Sequence, residues 1–170
     1  MENKLPITRL SKFLSNDDFD LNIQMGTEYL HGDLNMKLAL YRVDRSKTAI
    51  DNVYGEVGKD QIKYFPPMEF NALIKIDAPT NKSYKSGLIK YNEPGTMTLS
   101  VYIKHLDELG IDILYGDFIG YPESEDRVRY YQVTNDGKVV SDGRHNMFGY
   151  KPYYRTITCV PAQESEFRGV

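Results

Sequence analysis

Three histidines, one cysteine and scattered carboxylates are the residues from which this 170-residue chain would have to build reactive chemistry. His31-Gly32-Asp33 brings an imidazole and a carboxylate close together in sequence. A metal needs three or four such ligands converging. His105 and His145 are far off along the chain, and each reads as an isolated surface or interface histidine. Asn16-Asp17-Asp18-Phe19-Asp20 invites a calcium reading, but an EF-hand loop needs glycine at its sixth position and glutamate at its twelfth. Counted from Asn16, those positions are Leu21 and Thr27. The acidity suits the positive end of a helix better.

Nucleophiles fare no better. Cys159 lies in a strand-like run with nothing beside it in sequence to activate it, so it reads as a buried structural thiol. A lone cysteine also excludes an internal disulfide and any cysteine-based zinc cluster. No Gly-x-Ser-x-Gly elbow, P-loop or dinucleotide glycine pattern occurs. Glu123, Glu125 and Asp126 follow Pro122 at what reads as a solvated hairpin tip, without the facing geometry of paired catalytic carboxylates. The expectation is a protein with no catalytic residues, no cofactor and no metal. An unrecognised enzymatic site around His31, Asp33 or His145 is the third of three readings.

Composition narrows the rest. With 41% apolar residues the chain is too apolar to stay disordered. A net charge of −3 lacks the basic footprint of a dedicated nucleic-acid binder. No run approaches the ~20 apolar residues of a membrane helix, and Met1 to Leu10 carries no secretory h-region. The expectation is one soluble, intracellularly made domain. Aromatics are skewed, with 14 Tyr, 7 Phe and no Trp. In the last third Arg127, Arg129, Arg144, Lys151 and Arg155 fall beside Tyr130, Tyr131, Tyr150, Tyr153 and Tyr154. Such a set stacks on single-stranded nucleic acid or anchors a protein interface. The missing basic charge favours the interface.

The elements that must position these residues are mostly strands. Residues 1–14 read as an arm. Ser15 caps a helix with Asp18 three residues on, and Leu21, Met25 and Tyr29 mark one helical face. Gly26 weakens that helix and Gly32 is its expected stop. Met36–Val43 alternates as a strand, with a continued helix as the competing reading. Residues 44–67 form a long loop with room for one helical turn. Met68–Ile76 alternates as a single strand, and Asp77–Gly87 reads as an exposed loop, followed by a turn at Asn92-Glu93-Pro94-Gly95. Met97–Lys104 alternates most cleanly. His105–Leu109 is a helical turn closed by Gly110. Strands are predicted over Tyr115–Pro122, Val128–Thr134 and Tyr153–Val160, with a tight hairpin turn at Asn135-Asp136-Gly137. Pro161 ends the last strand, and residues 162–170 read as a polar tail. The predicted fold is mainly β: a small antiparallel β-barrel or sandwich over residues 15–161, with an N-terminal helix and long loops.

The order of the pieces resembles a known family. It runs from the helix to a strand ending Tyr41-Arg42-Val43, then Val53-Tyr54-Gly55-Glu56, then Lys85-Ser86-Gly87. After these come Thr98-Leu99-Ser100-Val101, His105-Leu106-Asp107-Glu108, Gly116-Asp117-Phe118-Ile119-Gly120-Tyr121-Pro122 and Tyr131-Gln132-Val133. This is similar to the neck proteins of tailed bacteriophages, which form the head-to-tail connector ring below the portal. The similarity spans residues 20–135. Longer neck proteins carry an extended acidic C-terminal part that is absent before Val170; the short length suits a collar ring protein of a short-tailed phage, including the crAss-like group. The resemblance implies a homo-oligomeric virion structural protein at the head–tail junction, assembled in the host cytoplasm. Its partners would be copies of itself and portal, adaptor or tail proteins, with genomic DNA passing through the lumen unbound and no membrane involved. Interface residues would be Tyr54, Glu56, Tyr64, Phe65, Lys85, Tyr91, Tyr130, Tyr131, Tyr153, Tyr154 and Arg155. The alternative is a small single-strand nucleic-acid binding module using the C-terminal Tyr/Arg set.

Overall fold

The computed structural model describes residues 15–48, 62–84, 89–93, 95–138, 144–147, 151–163 and 167. Helix α1 spans Asn16–Glu28 and begins where its cap predicts. The Asp18 amide donates to the Ser15 hydroxyl at 3.3 Å, and the Ser15 amide donates back to the Asp18 carboxylate at 2.8 Å. Those bonds from Ser15 hold the Asp18 carboxyl below its ordinary pKa. Gly26 costs helix propensity, yet a Cβ there would collide with the Tyr102 ring, so glycine lets α1 lie against that phenol. The helix does not stop at Gly32. A π-helical turn, Tyr29–Leu34, carries it to Asn35, whose left-handed φ of 43° and amide bond to the Leu30 carbonyl end it. Asn adopts that conformation at low cost, so it serves as the stop.

A curled antiparallel sheet follows. Strand β1 is Lys37–Tyr41, β2 Met68–Asn71, β3 Leu73–Ile76, β4 Thr80–Tyr84, β5 Ile89–Glu93 and β6 Met97–Tyr102. Helix α2 is Ile103–Leu109, and β7 Phe118–Ser124, β8 Arg127–Asn135, β9 Arg144–Met147 and β10 Lys151–Pro161 complete the chain. The main sheet runs β2-β1-β7-β8-β10-β6-β3, with β9 added beside the first part of β10. Strands β2 and β3 sit at opposite ends of this order yet are joined through Ala72 alone. One bent segment therefore draws the two edges of the sheet together, which gives a barrel-like curl rather than two stacked layers. Residues 68–76 are thus two strands, not the single predicted one, because the backbone changes ladder partner from β1 to β6 at the buried Ala72.

Inward alternation fills the curl. Leu38 and Leu40 point in from β1; Met97, Leu99 and Val101 from β6; Ile157 and Cys159 from β10; Tyr131 and Val133 from β8. Strand β6 shows the cleanest alternation, as its sequence predicts, but ends two residues early because α2 starts at Ile103. Gly110, with φ 66°, closes α2 as expected. Residues 80–84 belong to a two-stranded β4–β5 hairpin, not an exposed loop. Strand β4 is polar up to Tyr84, so no apolar alternation within Thr80–Tyr84 announces it. Gly95 returns the chain, since a Cβ there would sit 2.5 Å from the Asp77 carbonyl. At Asn135-Asp136-Gly137 the Gly137 amide donates to the Asn135 side chain at 2.9 Å, and β8 pairs with β7 and β10, while the residues that would return from a hairpin there lie outside the described ones.

The C-terminal segment is not a free polar tail. Phe167 is only 4% exposed and stacks on Phe118 at 4.6 Å, with Tyr41, Tyr64 and Tyr130 around it at 4.9–5.2 Å. A single aromatic in an otherwise polar run docks the segment over the β1–β7 pair. Phe167→Ala is expected to lower the unfolding free energy by about 3 kcal/mol. Urea denaturation followed by circular dichroism checks this; an unchanged midpoint would mean the docking contributes nothing.

Candidate functional site

The segment from Ile111 to Asp117 joins α2 to β7 without a continuous ladder, so its polar groups need other partners. Two carboxylates within it supply much of the answer. Arg42, just past β1, donates to Asp117 from Nε at 3.1 Å and from Nη2 at 2.5 Å, and also to the Asp112 carbonyl. The Leu114 amide donates to Asp117 Oδ2 at 2.9 Å. The Asp112 carboxylate takes Arg155 Nη2 at 3.0 Å and Lys138 Nζ, while Arg155 also reaches the Ile113 carbonyl at 3.3 Å. Gly116, with φ 86°, lets its amide reach the Val133 carbonyl at 2.9 Å. The bond to Asp117 raises the Arg42 pKa. Burial pushes the Asp112 carboxyl up, but Lys138 and Arg155 outweigh it and leave it below its ordinary value.

Two open clefts flank this segment. One, about 380 Å³, is lined by Ile103, Leu106, Asp107, Ile111, Asp112, Gly137, Lys138 and Arg155. The other, about 470 Å³, lies among Arg42, Val43, Asp44, Arg45, Ser46, Phe65 and Leu114–Asp117. The floor of the second is fixed. Val43 bridges to Tyr64, the Asp44 amide donates to the Lys63 carbonyl at 2.7 Å, and the Phe65 amide to the Arg42 carbonyl at 2.9 Å. The buried Asp44 carboxylate holds the turn by accepting from Ser46.

His31 and His105 do not stand apart. His31 Nε2 lies 3.4 Å from His105 Nδ1, and the Asn71 amide approaches His105 Nε2 at 3.4 Å. A backbone amide can only donate, so His105 carries its proton on Nδ1 and gives it to His31. The two rings link the π-helical turn, α2 and β2. Sequence reasoning missed this pair because the residues are 74 positions apart and only the curl of the sheet brings them together. Burial, and then His31, lower the His105 pKa against an opposing pull from Glu108. Asp33 is exposed, and His31 faces His105 rather than it. Among the described residues no three His, Cys, Asp or Glu converge as metal ligands. Cys159 is buried, and burial pushes its thiol up to about 12.

The predicted interface residues fall in four groups. Tyr54, Glu56 and Lys85 lie outside the described residues. Tyr91 sits opposite Lys82 in the β4–β5 ladder. The others have internal duties. Tyr64 and Tyr130 surround Phe167, Tyr131 is buried in the core, and Tyr153 and Tyr154 pack edge to face at 4.6 Å beside Tyr102. Arg155 is buried in its pair with Asp112. Tyr131 and Arg155 are therefore corrected from surface anchors to core residues, because both point inward from their strands. Phe65 stays exposed, at 42%. Glu123 binds Arg127 at 3.2 Å and Arg129 at 2.7 Å, and its hairpin tip is solvated as predicted. No family model and no curated protein matches this chain.

Asp117→Ala leaves Arg42 and the Leu114 amide without their acceptor, and is expected to cost about 3–5 kcal/mol in chemical denaturation. A loss under about 1 kcal/mol, typical of a surface pair, would refute that role. The histidine pair predicts a pH dependence. The folded His105 pKa lies below its unfolded value of about 6.5, so the unfolded chain takes up a proton first as pH falls. Stability is then complete above about pH 6.5 and declines below it, whereas the lowered Asp44 and Asp112 carboxyls act only near their ordinary value of about 3.9. Urea midpoints between about pH 5 and 7 should fall for the native chain and stay nearly level for His105→Gln.

Proposed function

We propose that this chain is a structural subunit of the head-to-tail connector of a tailed bacteriophage, forming a homo-oligomeric ring between portal or adaptor and tail. The reading is supported first by the ordered sequence pieces that resemble phage neck proteins. It is supported physically by how the described side chains are used. The buried ionic groups Asp117, Arg155 and Asp44 are drawn into internal pairs that hold loops: Arg42 with Asp117, Arg155 with Asp112, which Lys138 also binds, and Lys47 with Asp44. Large apolar side chains are meanwhile left in solvent on α1 and beside the larger cleft. That exposure carries the proposal, since clustered exposed apolar groups mark association surfaces.

In this role the protein fixes positions rather than transforms a ligand. The curled sheet supplies a rigid body, and its helix and loops supply neighbour contacts. The net charge of −3 suits a channel that lets DNA pass, because phosphate affinity follows Lys and Arg contacts. Of the five cations that the single-strand nucleic-acid reading relies on, Arg127 and Arg129 share Glu123 and Arg155 is buried, which weakens that reading, while the side chains of Arg144 and Lys151 lie outside the described ones.

Sedimentation velocity and negative-stain imaging of the purified chain test the proposal. Closed rings, or oligomers whose population rises with concentration, are expected. A monomer at every concentration would overturn it.

A further inference from the structure

Two exposed apolar patches carry flanking charges of opposite sign. The first is the outer face of α1. Phe19 and Ile23 bury the inner face against Tyr153, which turns Leu21, Met25 and Tyr29 outward at 57%, 61% and 49% exposure. Their four-residue spacing makes one continuous ridge. Around it the chain is acidic: Asp17, Asp18, Asp20, Glu28 and Asp33 fall between residues 15 and 36, with no Lys or Arg there.

The second patch is the larger cleft. Phe65 and Leu114 line it, with Tyr115 standing 76% exposed at its edge. Arg42 and Arg45 line its rim, with Lys47 and Lys63 on the chain just beside it; Arg42 and Lys47 are spent on the buried Asp117 and Asp44, so Arg45 and Lys63 leave the rim net basic. Asp44 and Asp117 are the carboxylates there, and both are buried and already paired. Helix α1 feeds into β1 at Lys37 through the π-helical turn, while the cleft opens just past Tyr41. The ridge residues are not among those that line the cleft, so ridge and cleft are separate surfaces of one subunit.

We propose that the α1 ridge of one copy docks in the Phe65–Tyr115 cleft of the next, the acidic helix meeting the basic rim. The partner is a second copy of this chain, because the complementary charge and the apolar groove are both present on the same molecule. An amphipathic helix laid in an apolar groove is an established recognition mode. Ridge and cleft are different surfaces, so the contact is head-to-tail, and each copy keeps one free half to bind another neighbour. Closure of that series gives a ring. The inference rests on the ring proposed above and names the surfaces that build it.

Mixing of complementary variants tests it. Met25→Glu spoils the ridge and Arg45→Glu spoils the rim, both at exposed positions; Tyr115→Ala is a second cleft variant. Circular dichroism and melting temperature should match the native chain in all three. Each variant alone is expected to sediment as a monomer. An equimolar mixture of Met25→Glu and Arg45→Glu should form dimers and nothing larger, since only one intact ridge meets one intact cleft. If the native chain forms rings and the variants do so equally well, or if the mixture stays monomeric, this interface is wrong while the ring stands. If the native chain never associates, both fall.

Discussion

The segment between α2 and β7 is where the structure is most exposed to failure, and two aspartates hold it. A connection that leaves a helix and crosses the end of a curled sheet cannot use a ladder for its backbone groups. Here the Asp117 carboxylate replaces a backbone carbonyl for the Leu114 amide, while Arg42 and Arg155 replace amides for the Asp112 and Ile113 carbonyls. The same two arginines then ion-pair with Asp117 and Asp112. Burying such charges is costly unless every partner is present. The bracket ties β1, β10 and the loop into one geometry. It also sets one wall of the larger cleft, because Asp117 and Leu114 line it.

Much of the fold was legible because it rests on local rules. Ser15 with Asp18 announced the helix start, and the alternations read over Met36–Val43, Met97–Lys104 and Tyr153–Val160 announced the strands that form at Lys37–Tyr41, Met97–Tyr102 and Lys151–Pro161. What was hidden depends on closure. Nothing in Met68–Ile76 says that its two halves pair with different strands, because the alternation runs through Ala72 unbroken. The proximity of His31 to His105, and the destination of Phe167, follow from the same curl. Arg155 was misjudged for a related reason. Beside several tyrosines it suggests a stacking surface, but its register places it inward, where only Asp112 on a distant loop makes burial tolerable.

The helix face was legible as a face but not as an outer one. Leu21, Met25 and Tyr29 form the more obvious stripe, and an obvious apolar stripe is ordinarily the buried one. The structure buries Phe19 and Ile23 instead. A helix that seats its minor apolar face on the core and leaves the major one in water stays stable through its cap, through the fit of Gly26 on Tyr102, and through Lys104, which lies 3.6 Å from Asp20.

The tyrosine content bears on where association surfaces are to be sought. Taken from composition alone, 14 Tyr suggest a wet-edged interface spread over the strands. The described strand tyrosines are instead engaged internally: Tyr41 and Tyr130 around Phe167, Tyr102, Tyr153 and Tyr154 with one another beside α1, and Tyr131 in the core. A phenol suits the first two places, since its ring covers apolar neighbours while its hydroxyl stays near water. With those rings engaged internally, the exposed large apolar side chains of the described strands are Leu73, Ile76 and Val128. Further free apolar area lies on α1 and in the loops past β1 and before β7, which are joined to the rigid sheet at its ends. A connector proposed to meet a neighbour on each side gains from that arrangement, because the sheet fixes the relative placement of the two surfaces.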